Sequence, residues 1–113
     1  MITLVEIEKG IKYEQKLLHE LIEQIQKAGD EAAEAEATYK AKFSQSRLVA
    51  RSLRDKITVG EVDDLAGEQC QAEHLNYLIT ENRFATLKEG LRASQARLNG
   101  WQTLAASMRL NGA

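Results

Sequence analysis

Ile57-Thr58-Val59-Gly60-Glu61 interrupts an otherwise continuous helical pattern, and the reading of the whole chain turns on it. Thr58-x-x-Glu61 is a capping box, in which a threonine hydroxyl and a glutamate carboxylate each satisfy a free backbone amide at a helix start. Asp63 and Asp64 follow in the first turn, where the helix dipole favours negative charge. A helix therefore starts at this stretch, and the periodic residues before it belong to another.

Upstream, one row recurs every seven positions: Leu4, Ile11, Leu18, Ile25, Ala32, Tyr39, Ser46 and Leu53. A weaker second row holds Ile7, Leu21, Ala28, Ala35 and Val49, interrupted by Glu14 and Lys42. Together they mark a helix seam close to a heptad repeat, opened by a first capping box at Thr3-x-x-Glu6. Gly29-Asp30 offers a stop and a fresh N-cap, yet the register runs through it. A kink near Gly29 and an unbroken helix both fit. Downstream, Phe84, Leu87, Leu91, Leu98, Trp101, Ala105 and Met108 step by three and four. Gly67, Gly90 and Gly100 each cost a helix about 1 kcal/mol relative to alanine, and mark a bend or a close helix approach. Trp101 and Tyr77 fall in the seam, and a buried Tyr77 hydroxyl needs a partner. Asn111-Gly112 is a C-terminal stop.

The expected fold is all-α: a long antiparallel helical hairpin forming a single helical domain over 1–113. Arm one covers about 3–56, the turn 57–60 and arm two about 61–110, each arm being about 50 residues and 75 Å long. Two helices leave each seam half covered, so assembly into a helical homo-oligomer is expected.

Composition agrees. With 43% apolar and 28% charged residues the 113-residue chain is no disordered tail. The absence of proline and only 5% aromatic residues argue against a loop-rich sandwich or barrel. Cys70 stands alone, which excludes an intramolecular disulfide and fits a reducing compartment. Met1-Ile2-Thr3-Leu4-Val5-Glu6 lacks the basic region of a signal peptide, and no apolar run approaches the roughly 20 residues of a membrane span. A soluble, cytoplasmic protein without membrane partners is expected.

Enzyme signatures are missing: no glycine-rich phosphate loop, no G-x-S-x-G elbow, no H-E-x-x-H pair. Cys70-x-x-x-His74 sets a thiol and an imidazole on one helical face, with His19 as a conceivable third group. A structural zinc site needs four ligands at tighter spacing, and a Cys–His nucleophile needs a pocket. The pair reads as a semi-buried cysteine and a surface histidine, and no catalytic residue, metal or cofactor is expected.

Local charge is the informative feature. The chain carries a net −2, but residues 40–56 hold Lys40, Lys42, Arg47, Arg51, Arg54 and Lys56 against Asp55, a local +5. Lys40, Arg47, Arg51 and Arg54 fall in a stripe roughly 60° wide and about 21 Å long, with Phe43 at its edge. Such a stripe suits the phosphates of a single strand, and an edge aromatic suits a base. Lys40, Lys42, Phe43, Arg47, Arg51 and Arg54 are the candidate DNA-binding residues. The opposing reading is ordinary. Glu36–Lys40 and Arg51–Asp55 are i,i+4 pairs, and acidic blocks on both sides (Asp30 to Glu36, Glu61 to Glu73) can pair with the basic one between subunits. A second set, Arg83, Lys88, Arg92 and Arg97 against Glu89, reads mostly as local helix support.

The basic run Tyr39-Lys40-Ala41-Lys42-Phe43-Ser44-Gln45-Ser46-Arg47-Leu48-Val49-Ala50-Arg51 is followed by the capped restart Thr58-Val59-x-Glu61. A long helix then runs from Glu73-His74-Leu75-Asn76-Tyr77-Leu78 to Leu104-Ala105-Ala106-Ser107-Met108-Arg109. In order and texture, over roughly residues 32–109, this resembles small helical phage proteins such as the UvsY-type phage recombination mediators. The resemblance implies a ring-forming helical oligomer that binds single-stranded DNA and helps load a recombinase onto strands covered by a single-strand-binding protein. It places DNA contacts on Lys40, Lys42, Arg47 and Arg51, to which the spacing adds Arg54. The chain departs from that family in being shorter and slightly acidic. The expected function is thus a phage or prophage single-stranded DNA-binding recombination mediator or accessory protein, working in the host cytoplasm. The alternative is a structural coiled-coil adaptor or virion-assembly protein without nucleic-acid binding.

Overall fold

The structure, a computed structural model, describes residues 2–53 and 56–112. It is all-α: α1 spans Leu4–Leu53, α2 Val59–Gln69 and α3 Gln71–Gly112, with no strand among the described residues. The first capping box forms in full and the threonine half of the second forms, both at the expected places. The Glu6 N–H donates to Thr3 Oγ1 and the Thr3 N–H to Glu6 Oε2, each at 3.2 Å. Thr58, extended at φ −75° and ψ 158°, accepts the Glu61 N–H at 3.2 Å. Helix α1 continues through Gly29 and Asp30, so these residues do not end one helix and cap another.

The second arm contains two helices where the sequence suggested one. Cys70 closes α2 with its N–H shared between the carbonyls of Ala66 (3.1 Å) and Gly67 (3.2 Å). That shared bond tightens the last turn, and the His74 N–H donating to Cys70 O at 2.8 Å starts α3. Gly67, one of the glycines that suggested a bend, thus lies in the turn before the break.

The chain divides into two compact units. The first joins the residues up to Lys27 with those from Ala85 onward. Its interior holds Ile7, Ala105, Ser94 and, unusually, Glu14, whose residue surface is only 3% exposed. Glu14 accepts from Ser94 Oγ and from Arg97 Nε, both at 2.8 Å. The hydrogen bond from Arg97 holds its carboxyl below the usual glutamate range, against the desolvation that opposes it. Gly10 lies under the Trp101 ring: a Cβ there would stand 2.5 Å from Trp101 Cε2. Positions 10, 14 and 21 of α1 thus meet 101, 94 and 90 of α3 in reverse order, as in an antiparallel pair.

The second unit, Ala28–Phe84, contains the α1–α2 connection and the basic segment. Its core is small-residue: Ala28, Ala32, Ala35, Ala50, Val62, Ala66 and Cys70 are buried. At Gly29 a Cβ would come within 3.2 Å of the Phe84 ring, so the glycine admits an aromatic side chain against the α1 backbone. Lys42 Nζ donates to Glu73 Oε1 at 2.6 Å. Ser46 Oγ and Cys70 Sγ lie 3.6 Å apart. Positions 29, 42 and 46 therefore meet 84, 73 and 70, again in reverse order. Glu14 and Lys42, the two interruptions of the second heptad row, are the two positions of that row whose side chains hydrogen-bond to α3.

Candidate nucleic-acid interface

The basic residues of α1 occupy two faces, which the backbone explains. At 100° per residue, Lys40, Arg47 and Arg51 lie roughly 120–160° round α1 from buried Ala35, and Phe43 about 80° on the same side. Lys42 lies about 20° the other way, inside the seam. Its ammonium is accordingly given to Glu73, which raises the lysine above its usual range and lowers the carboxylate below its own. The Lys42 side chain retains 43% of its exposure.

Along the outer edge, the Lys40 side chain is 69% exposed and paired within the helix to Glu36 at 2.6 Å. The hydrogen bond from Lys40 to Glu36 raises the lysine above its ordinary value. Arg47 reaches α2, where its Nε lies 3.0 Å from Asp63 Oδ1. Both of those atoms are shielded from water and neither has a hydrogen-bond partner, so the contact is an ion pair with poor hydrogen-bond alignment. Arg51 is exposed and makes no ion pair among the described residues. Arg54 lies outside the described residues. The four described cations and the carboxylates of Glu36, Asp63 and Glu73 leave one net positive charge. Asp63 and Glu73, from the acidic block that follows the basic one, thus pair with it within one chain, where the sequence suggested pairing between subunits.

Phe43, half-buried, does not stand alone. Its ring centroid is 5.9 Å from that of Tyr39, whose ring in turn stacks on His74 (4.7 Å, 22°) and Tyr77 (5.9 Å, 24°). Tyr39 and Tyr77 are half-buried and His74 is exposed. Burial, helped by the Glu36 and Glu81 carboxylates, pushes the Tyr77 phenol up. His74 and Tyr77 escaped the sequence reading as site residues because only the register of α3 against α1 brings them to Phe43. The signal was the pairing of Lys42 with Glu73, one residue before His74.

The other side of this unit is different in kind. A groove of about 470 Å³ runs past Glu31, Glu34, Thr38, Asn76, Thr80 and Arg83. Arg83 lies 3.7 Å from Glu31. Cys70 is buried, while His19 is exposed beside Glu23 at 3.5 Å. Among the described residues no three His, Cys, Asp or Glu side chains gather as a metal site, and no helix is long and apolar enough to cross a membrane. No family model, no curated protein and no solved structure matches the chain.

Proposed function

We propose that the chain is a non-enzymatic, homo-oligomeric single-stranded DNA-binding protein, a recombination mediator or accessory that helps load a recombinase. The observation that carries this is the outer edge of α1, where Lys40, Arg47 and Arg51 share one face with Phe43 at its margin. Cations there meet phosphates, and the aromatic edge meets bases. One subunit offers little net charge, so binding depends on repetition. In an oligomer each further contact is intramolecular and gains from effective concentration. The outer side of α3 supports assembly: Leu75, Leu78 and Ile79 are exposed, away from the face that buries Thr80. Such an oligomer of helical hairpins would hold the strand extended for a recombinase, with a single-strand-binding protein as a further partner, in the host cytoplasm of a phage or prophage.

The second reading, a structural coiled-coil adaptor or virion-assembly protein, is favoured by the Lys42–Glu73 and Arg47–Asp63 pairs, which already satisfy two of the candidate cations. Binding of a labelled single strand in a salt series separates the two. Under the DNA reading, Arg47→Gln combined with Arg51→Gln flattens the salt dependence, because phosphate contacts release counterions. A slope unchanged by the double substitution removes the edge from the DNA site and leaves the adaptor.

A further inference from the structure

Four aromatic rings gather across α1 and α3. Tyr39 sits at the centre, with Phe43 one turn along the same helix and His74 and Tyr77 contributed by α3. A purely structural cluster would bury its rings; here Tyr39, Phe43 and Tyr77 are half-buried and His74 is exposed. Lys40 lies next to Tyr39 in sequence and Arg47 one turn beyond Phe43, so the cations flank the α1 side of the cluster, while the Glu36 and Glu81 carboxylates stand by Tyr77.

We propose that Phe43, Tyr39, His74 and Tyr77 form a base-stacking platform, resting on the DNA-binding reading above and giving it single-strand selectivity. Every base has a π-face, so the platform accepts bases of any sequence. A duplex keeps those faces inside its own stack and offers only its charge. The cations of α1 thus hold the backbone while residues from α3, absent from any charge pattern, discriminate between single strand and duplex.

The test compares two oligonucleotides of equal length and charge by fluorescence anisotropy, oligothymidylate and the same backbone carrying abasic sites throughout. The platform predicts that the intact protein prefers the base-bearing strand by roughly five- to a hundredfold, the span expected for stacking one base. His74→Ala and Phe43→Leu each reduce that ratio towards one while leaving the salt slope unchanged, and Phe43→Trp retains it. Far-UV circular dichroism of each variant establishes that the helices persist. Equal, salt-steep binding of both strands by the intact protein overturns the platform and leaves the electrostatic reading standing. Failure to bind either strand at low salt overturns the DNA-binding reading, and the platform falls with it.

Discussion

Asp63 gives the sharpest handle on the proposed interface, because it holds Arg47 by a single shielded contact of 3.0 Å. In the intact protein, Arg47 reaches a phosphate only by giving up Asp63, one anion exchanged for another. Asp63→Asn removes that competitor while preserving the size of the side chain. One more cation then neutralises a phosphate, which for single strands steepens the plot of log K against log salt by about 0.7 per engaged subunit. Carried to concentrations, that slope corresponds to binding about eightfold tighter at 50 mM salt and about threefold tighter at 200 mM. Asp64→Asn is the control: it removes the same charge one residue away, at an exposed position for which no contact with Arg47 is seen. Salt-series anisotropy of the two variants, repeated in an Arg47→Gln background, reads the effect directly. The effect of Asp63→Asn must vanish in that background. If Asp63→Asn and Asp64→Asn change the slope equally, or if the gain survives loss of Arg47, the reasoning is refuted.

Two further predictions concern the fold. Gly10→Ala and Gly100→Ala gain the same helix propensity, but a Cβ at Gly10 strikes the Trp101 ring whereas at Gly100 nothing lies within 4 Å. Overpacking costs about 1–3 kcal/mol, so at equal protomer concentration Gly10→Ala should melt about 4–12 °C below Gly100→Ala; equal melting would place the ring elsewhere. Glu14 titrates below the usual glutamate range when folded, so its contribution is complete above about pH 4.3 and is lost as the pH falls through the lower folded value. Urea melts across that window should show an acid-sensitive limb that Glu14→Gln diminishes, and an identical limb in the variant would show that the carboxylate is not the titrating group.

Local signals were well expressed in the chain. Thr3 and Thr58 cap their helices because that chemistry spans only three residues and needs no tertiary context. The heptad rows of α1 emerge as its buried face from Ile7 through Ala28, Ala32 and Ala35, whereas their members Leu4, Val49 and Leu53 are exposed. The break at Cys70 was only faintly legible: Gly67 hinted at a bend, but the break itself is a shared backbone hydrogen bond to Ala66 and Gly67, three to four residues back. Glu14 and Lys42 looked like flaws in the second row. Only the α3 partners, Arg97, Ser94 and Glu73, show why a charged side chain is tolerated there. The same dependence on register concealed the aromatic cluster. The stripe through Lys40, Arg47 and Arg51 was readable from spacing alone, but its pairing with Asp63 was not, because Asp63 reads equally well as an N-terminal helix charge.

The central claim, that the α1 edge serves single-stranded DNA, is tested most directly by anisotropy of the intact protein with a labelled single strand and its duplex across a salt series. The account predicts binding that weakens steeply with salt and favours the single strand. Absence of binding even at low salt would contradict it and assign the basic edge to its carboxylate partners.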